Sequence, residues 1–210
     1  IDNQANDNGG DIRISNCIIK FLASFSVSNQ WGISASAIDS AATAKIWNNI
    51  IYDASCGIRC EPWSSSDWAT YLLYNNTIVN SKVSGIAASF GGTPPAGTGE
   101  LRLKNNLVQN AGTDDYDFYG TGLIATYETI TNLSSDATSP NTTLRNKKVK
   151  FIKDDFSDYR LSGKDTEARG NGTNLSADSY FAFSDDIRGR TRGTVWSIGA
   201  DENFSTNWRY

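Results

Sequence analysis

The chain contains no histidine and no methionine, only three cysteines, and no apolar run of membrane-spanning length. Without histidine the commonest general base, Ser-His triads and most transition-metal centres are excluded. Acid–base chemistry would fall to carboxylates, Lys, Arg or Tyr. Cys17, Cys56 and Cys60 are odd in number. Cys56 and Cys60 sit four apart on a strand-like segment, roughly 13 Å apart when extended, too far for a disulfide, so buried thiols are expected. The longest apolar stretch, Cys17 to Ala23, is interrupted by Lys20, which argues against membrane insertion. Concentrated basic charge is missing too. A net charge of −4 and a pI near 4.8 argue against nucleic acid, whose binding needs a basic face. The one basic run, Arg145-Asn-Lys-Lys-Val-Lys150, reads as a solvated strand edge. Ile1-Asp-Asn-Gln-Ala-Asn has neither an initiator Met nor a signal-like start, so a processed product or a piece of a longer chain is expected.

What the sequence does have is a repeated cassette. It reads Ile14-Ser-Asn16-Cys-Ile-Ile19, Ile46-Trp-Asn48-Asn-Ile-Ile51, Leu73-Tyr-Asn75-Asn-Thr-Ile78, Leu103-Lys-Asn105-Asn-Leu-Val108 and, degraded, Ile130-Thr-Asn132-Leu-Ser-Ser135. Aligned on Asn16, Asn48, Asn75, Asn105 and Asn132, the steps are 32, 27, 30 and 27 residues. Such periods mean stacked supersecondary units. After the cassette come a polar turn and a Gly-Ile step, at Gly32-Ile33, Gly57-Ile58 and Gly85-Ile86, with Tyr116-Asp117-Phe118 as a looser fourth copy. Alternating runs such as Thr70-Tyr-Leu72-Leu-Tyr74 lead into the next cassette. Gly, Ser, Thr, Asn and Asp suit strands and turns, so the expected class is all-β. Strands of 3 to 5 residues with weak hairpin signals are stabilised by stacking, each pairing in parallel with its counterpart about 4.8 Å away. The recurring Asn then forms a column, expected at Asn16, Asn48, Asn75, Asn105 and Asn132, that satisfies backbone groups of adjacent coils.

Over roughly residues 9 to 135 this pattern resembles right-handed parallel β-helix proteins, as in pectate-lyase-like folds and many bacterial and phage surface proteins. The tail adds four phrases: Asp155-Phe-Ser-Asp-Tyr159-Arg-Leu161, Ala168-Arg-Gly-Asn-Gly172, Asp185-Asp-Ile-Arg-Gly189-Arg-Thr-Arg192 and Trp196-Ser-Ile-Gly-Ala-Asp-Glu202. They resemble the closing segment of extracellular β-helix proteins. The chain departs from that pattern at Lys164-Asp-Thr-Glu167 and by continuing past Glu202. The resemblance implies a single-stranded right-handed parallel β-helix over 1–150 and an irregular C-terminal cap over 151–210, covering the open end of the stack.

Glu61-Pro-Trp63-Ser-Ser-Ser-Asp-Trp68-Ala-Thr-Tyr71 is an insertion with two Trp in a Ser-rich loop. Trp63, Trp68 and Tyr71 are candidates to stack on sugar faces, and Asp67 to accept hydroxyl hydrogen bonds; folding back onto the coil side is the alternative. Polysaccharide lyases of this fold, by resemblance, hold Ca²⁺ on acidic residues beside a basic Arg or Lys. Here Asp115 and Asp117 are the candidate Ca²⁺ ligands, although a solvated turn explains Asp114-Asp-Tyr-Asp117 more simply, since the basic residues of neighbouring coils do not fall in one column. No catalytic residue is assigned. Six Asn-x-Ser/Thr sequons begin at Asn75, Asn132, Asn141, Asn171, Asn174 and Asn203, which matter only in a glycosylating host. The expectation is a non-catalytic structural or adhesive module, extracellular, at a cell surface or in a virion, contacting a glycan or a surface partner. A polysaccharide lyase or glycoside hydrolase fragment and a homo-oligomeric phage tailspike or head-fibre part remain the alternatives.

Overall fold

The computed structural model describes residues 2–5, 11–21, 30–37, 42–62, 69–90, 99–119, 124–153 and 158–202. Numbered in chain order, β1 (Asp2–Ala5), β4 (Trp31–Ala37), β7 (Cys56–Pro62), β10 (Ser84–Ser89) and β13 (Asp114–Tyr119) form one parallel sheet in that order. A second holds β2 (Asp11–Ser15), β5 (Ala42–Trp47), β8 (Ala69–Tyr74), β11 (Gly99–Lys104) and β14 (Ile124–Ile130). The third holds β3 (Ile18–Lys20), β6 (Ile50–Tyr52), β9 (Thr77–Val79), β12 (Leu107–Gln109) and β15 (Leu133–Ser134). The chain visits the sheets cyclically, so the protein is a parallel β-solenoid, all-β as expected. Among the described residues the only helical element is one 3-10 turn, Thr142–Leu144. The antiparallel pair β16 (Phe151–Lys153) and β17 (Asp158–Leu161) stands outside the stack.

Alternation decides what faces inward. Ile33, Ile58, Ile86 and Tyr116 are register partners in the first sheet, as are Ile14, Ile46, Leu73 and Leu103 in the second and Ile19, Ile51, Ile78 and Val108 in the third. All belong to or pack on one core, and each fully buried large aliphatic side chain contributes about 1.5–3 kcal/mol. The glycine before each Ile answers a close approach: a Cβ on Gly57 would lie 2.6 Å from the carbonyl oxygen of Gly85 in the next coil.

The Asn ladder lies inside the stack but is shifted from its expected place. Asn16, Asn48, Asn75 and Asn105 occupy left-handed corner positions, with φ of 55, 53, 51 and 56°, where Asn is among the few tolerated side chains. The inner ladder is carried by the following residues. Asn49 Nδ2 donates to Asn76 Oδ1 at 3.0 Å, Asn76 to Asn106 at 3.0 Å, Asn106 to Asn132 at 2.9 Å and Asn132 to Asn141 at 3.1 Å. Each Oδ1 also accepts the backbone N–H one coil back, and each Nδ2 reaches a carbonyl there, as in Asn76 to Ile46 O at 2.8 Å. Of the five expected residues, only Asn132 belongs to this inner column. The doublet Asn-Asn hid the offset, and in the fifth copy Thr131 takes the left-handed corner, φ 52°, leaving Asn132 inside.

The last coil is closed by the loop that follows it. Asp136 Oδ2 accepts Asp115 N–H at 2.8 Å, Thr138 Oγ1 accepts Tyr116 N–H at 2.9 Å and Asn141 Oδ1 accepts Asn132 N–H at 2.9 Å. These side chains stand in for the carbonyls of a further coil. Side chains of residues 136–141 thus pair with the last coil ahead of the segment expected to cap it, 151–210, whose described part lies along the flanks of the stack.

Candidate functional site

The outer face of the second sheet carries Trp47, Leu72 and Tyr74, and a strap from the C-terminal segment covers it with Leu175, Phe181, Phe183 and Trp196. The Trp47 and Phe181 rings meet edge-on at 4.7 Å. Polar anchors flank this patch. Lys104 pairs with Asp178 at 2.6 Å and Glu128 at 2.8 Å, and the Arg102 guanidinium lies 3.4 Å from the centroid of the Tyr180 ring. On the third sheet Ile50, Tyr52, Val79, Leu107 and Leu133 pack against Val149, Phe151, Tyr159, Leu161, Ile198 and Ala200.

The corner Asn column docks the strap. Asn16 Nδ2 donates to Asp186 O at 3.0 Å, Asn48 to Asp185 O at 2.9 Å, Asn75 to Gly199 O at 2.9 Å and Asn105 to Thr173 O at 2.7 Å. Asn48, Asn75 and Asn105 therefore do stack with their side chains on backbone, but largely on that of the tail. Arg192, 4% exposed, closes the arrangement by donating to Asn48 Oδ1 at 3.0 Å, Glu202 Oε2 at 2.9 Å and Ala200 O at 2.9 Å. Burial acts to raise the Asp186 pKa, but hydrogen bonds from Arg190 and from the Arg188 and Arg190 amides outweigh it and hold it below the ordinary carboxylate value. Burial raises that of Asp201 against the pull of Arg188. The Asp-x-x-Gly-x-x-Arg and Ile-Gly-Ala-x-Glu phrases are therefore a buried ionic clasp across the corner column.

With two faces covered, the outer face of the first sheet is the one the described part of the tail leaves open. It carries a groove of about 310 Å³ lined by Trp31, Arg59, Ser84, Ser89, Asp117 and Tyr119, among others. Outward register partners build it: Arg59, Ala87 and Asp117 form one row, and Ser89 pairs with Tyr119. The Trp31 ring lies 4.5 Å from the Arg59 guanidinium, which also pairs with Glu61 at 2.5 Å. Ser84 Oγ donates to Asp117 at 3.1 Å. Tyr119 is 63% exposed, and its pKa is raised chiefly by the nearby Asp117 charge. Trp31 and Tyr119 stand at diagonal corners of the groove, three strand spacings or roughly 14 Å apart across the sheet and roughly 16 Å apart along it, because the register partner of Trp31 in β13 is Asp114. Cys56 at the groove floor is pushed up to about 12 by burial, so it is a neutral thiol and not a nucleophile. Comparison with family models, with curated proteins and with solved structures finds no match for this chain.

The residues proposed from sequence fare unevenly. Trp63, Asp67 and Trp68 lie outside the described residues. Tyr71 is a correction: it is 1% exposed, faces the core opposite Ala44 and Leu101 and packs against Phe90 at 6.0 Å, so it offers no face to a sugar. Asp115 is a second correction. It is buried, with Oδ1 accepting Ala111 N–H at 2.9 Å and Oδ2 accepting Ser135 N–H at 2.6 Å and its hydroxyl at 2.7 Å, so it secures a corner. Asp117 instead faces the groove, and the two carboxylates do not converge on an ion site. Among the described residues no group of three or more acidic or Cys side chains is placed to hold a metal. Asn75 and Asn132 are fully buried, which removes those sequons from the surface. The groove was not legible in the sequence because its row, Arg59, Ala87 and Asp117, shares no residue type. The Gly-Ile step was the available signal, since the residue after each Ile faces outward.

Proposed function

We propose that the protein is a structural or adhesive β-solenoid module that contacts glycans through the open outer face of its first sheet, at a cell surface or on a virion. The observation that carries this reading is the asymmetry of the faces: the described part of the tail covers two sheets and leaves a third holding a groove with aromatic rings at both ends. Trp and Tyr rings stack on sugar faces while Arg, Asp and Ser supply hydroxyl partners, the usual composition of such sites. A non-catalytic role is supported by the engagement of the groove's charged groups, Asp117 by Ser84 and Arg59 by Glu61 at its margin. The closer assignment, to extracellular or phage β-helix proteins, rests on the resemblance of the four tail phrases.

A glycan array probed with a multimerised form of the protein tests the reading, because single contacts of this kind are weak and gain from display. Trp31→Ala and Tyr119→Ala should each lower binding about three- to tenfold, the equivalent of roughly 0.5–1.5 kcal/mol per aromatic contact. Unchanged binding by both variants would move any glycan contact elsewhere.

A further inference from the structure

A second recess lies apart from the groove, on the cover of the third sheet. Val149 and Phe151 turn inward to the apolar cluster there, and alternation leaves Lys148 and Lys150 pointing outward. The turn after β17 brings Lys164 and Ser162 alongside, pinned by Ser162 N–H on Lys150 O at 2.9 Å and Lys150 N–H on Asp165 Oδ1 at 2.9 Å. The resulting recess measures about 340 Å³ and is lined by Lys148, Lys150, Lys164, Ser162, Val149 and Phe151. No described carboxylate lines it. Asp165 is buried and held by the amides of Lys150, Ala168 and Arg169, and Glu167 pairs with Lys147 at 3.2 Å. Among the described residues Lys148, Lys150 and Lys164 make no ion pair.

We propose that this recess binds the sulfate esters of an acidic polysaccharide. Three ammonium groups around one concavity, on a chain whose net charge is −4 and with no described carboxylate among the lining residues, make a local positive site that suits an anion. Lysine binds tetrahedral oxyanions as a compact point charge, without the oriented fork of Arg, so three amines around one recess suit a sulfate ester. The Ser162 hydroxyl adds a neutral donor, and the Val149–Phe151 backbone, fixed by its buried side chains, holds the amines in place. This site is independent of the groove on the first sheet.

The test measures binding of the intact protein to dextran sulfate, to unsulfated dextran and to an oligodeoxynucleotide of matched charge, across a series of salt concentrations. The expected result is binding to dextran sulfate alone, at least tenfold weaker in a Lys148→Gln/Lys150→Gln/Lys164→Gln variant, with the log–log salt slope reduced by about one per lysine removed. Lys164→Gln alone, at an exposed turn, should show a partial loss, and a Lys20→Gln/Arg13→Gln control on the first coil should bind like wild type. Absence of dextran sulfate binding, undiminished binding by the triple variant, or equal loss in the control would each overturn the proposal. Equally tight binding of the oligodeoxynucleotide would overturn it too, by showing a generic polyanion surface.

Discussion

Replacing Asn76 by alanine removes the middle of the inner ladder. Its Oδ1 accepts the Asn49 N–H at 3.2 Å and the Asn49 Nδ2 at 3.0 Å, while its Nδ2 donates to Ile46 O at 2.8 Å and Asn106 Oδ1 at 3.0 Å. Two of these partners keep other bonds: Asn49 Nδ2 still reaches Ile14 O and Trp47 O, and Asn106 Oδ1 still accepts Asn76 N–H. The Asn49 amide and the Ile46 carbonyl lose this partner at fully buried positions. At about 1–3 kcal/mol for each of these two unsatisfied buried groups, the expected loss is roughly 2–6 kcal/mol. With a urea m-value of about 3 kcal/mol/M, the upper end of the usual range and suited to 210 residues, the unfolding midpoint should fall by about 0.7–2 M. Asn76→Asp should be worse at neutral pH, because a carboxylate oxygen would then face Asn106 Oδ1 and Ile46 O. Urea unfolding followed by circular dichroism measures both. An unchanged midpoint for Asn76→Ala would refute the ladder's contribution, and Asp tolerated better than Ala would refute its donor direction.

Arg192→Ala leaves Glu202 and Asn48 without their buried partner and should destabilise the strap by about 3–5 kcal/mol, seen as new proteolytic cleavage after residue 150 while the coils stay resistant. Gly57→Ala drives a methyl against the Gly85 carbonyl and should lower thermal stability by about 1–3 kcal/mol; an unaltered melting temperature would deny the close approach. Strap docking should depend on acid. The folded pKa values of Asp186 and Asp178 lie below the ordinary 3.8, so their stabilisation is full above that value and is lost as pH falls through the folded ones. Asp201, with a raised pKa, acts in the opposite sense and offsets part of the loss. Tryptophan fluorescence from Trp47 and Trp196 should therefore stay constant from pH 7 to 5 and change below about pH 3.8; a transition at higher pH would contradict the assignment.

The fold was legible because its two strongest signals are steric. The Gly-Ile steps marked true register partners, including Tyr116 as the fourth, since a glycine is required wherever one coil's backbone crowds the next. The ladder was legible as a phenomenon and misplaced by one residue. A corner Asn and an inward Asn answer different demands, positive φ and buried hydrogen bonding, and a doublet supplies both without saying which is which. Tyr71 was readable in retrospect: Ala69, Tyr71 and Leu73 alternate on one face of β8, and that period outweighs proximity to a Ser-rich loop. The groove was not readable, because an outward row is assembled across coils from side chains with no common chemistry.

The corner column has a consequence for the order in which the protein matures. Asn16 finds its strap partner Ile187 across 171 residues of sequence, and Asn48 finds Arg192 across 144. A chain emerging at about 5–20 residues per second completes its first coils many seconds before their flank partners exist. During that interval the early coils present bare corner amides and the apolar outer residues Trp47, Ile50 and Tyr52 to whatever surrounds them. Nascent chains stalled before residue 170 should accordingly be the species that chaperones hold, and release should coincide with synthesis of the last clasp residue, Glu202.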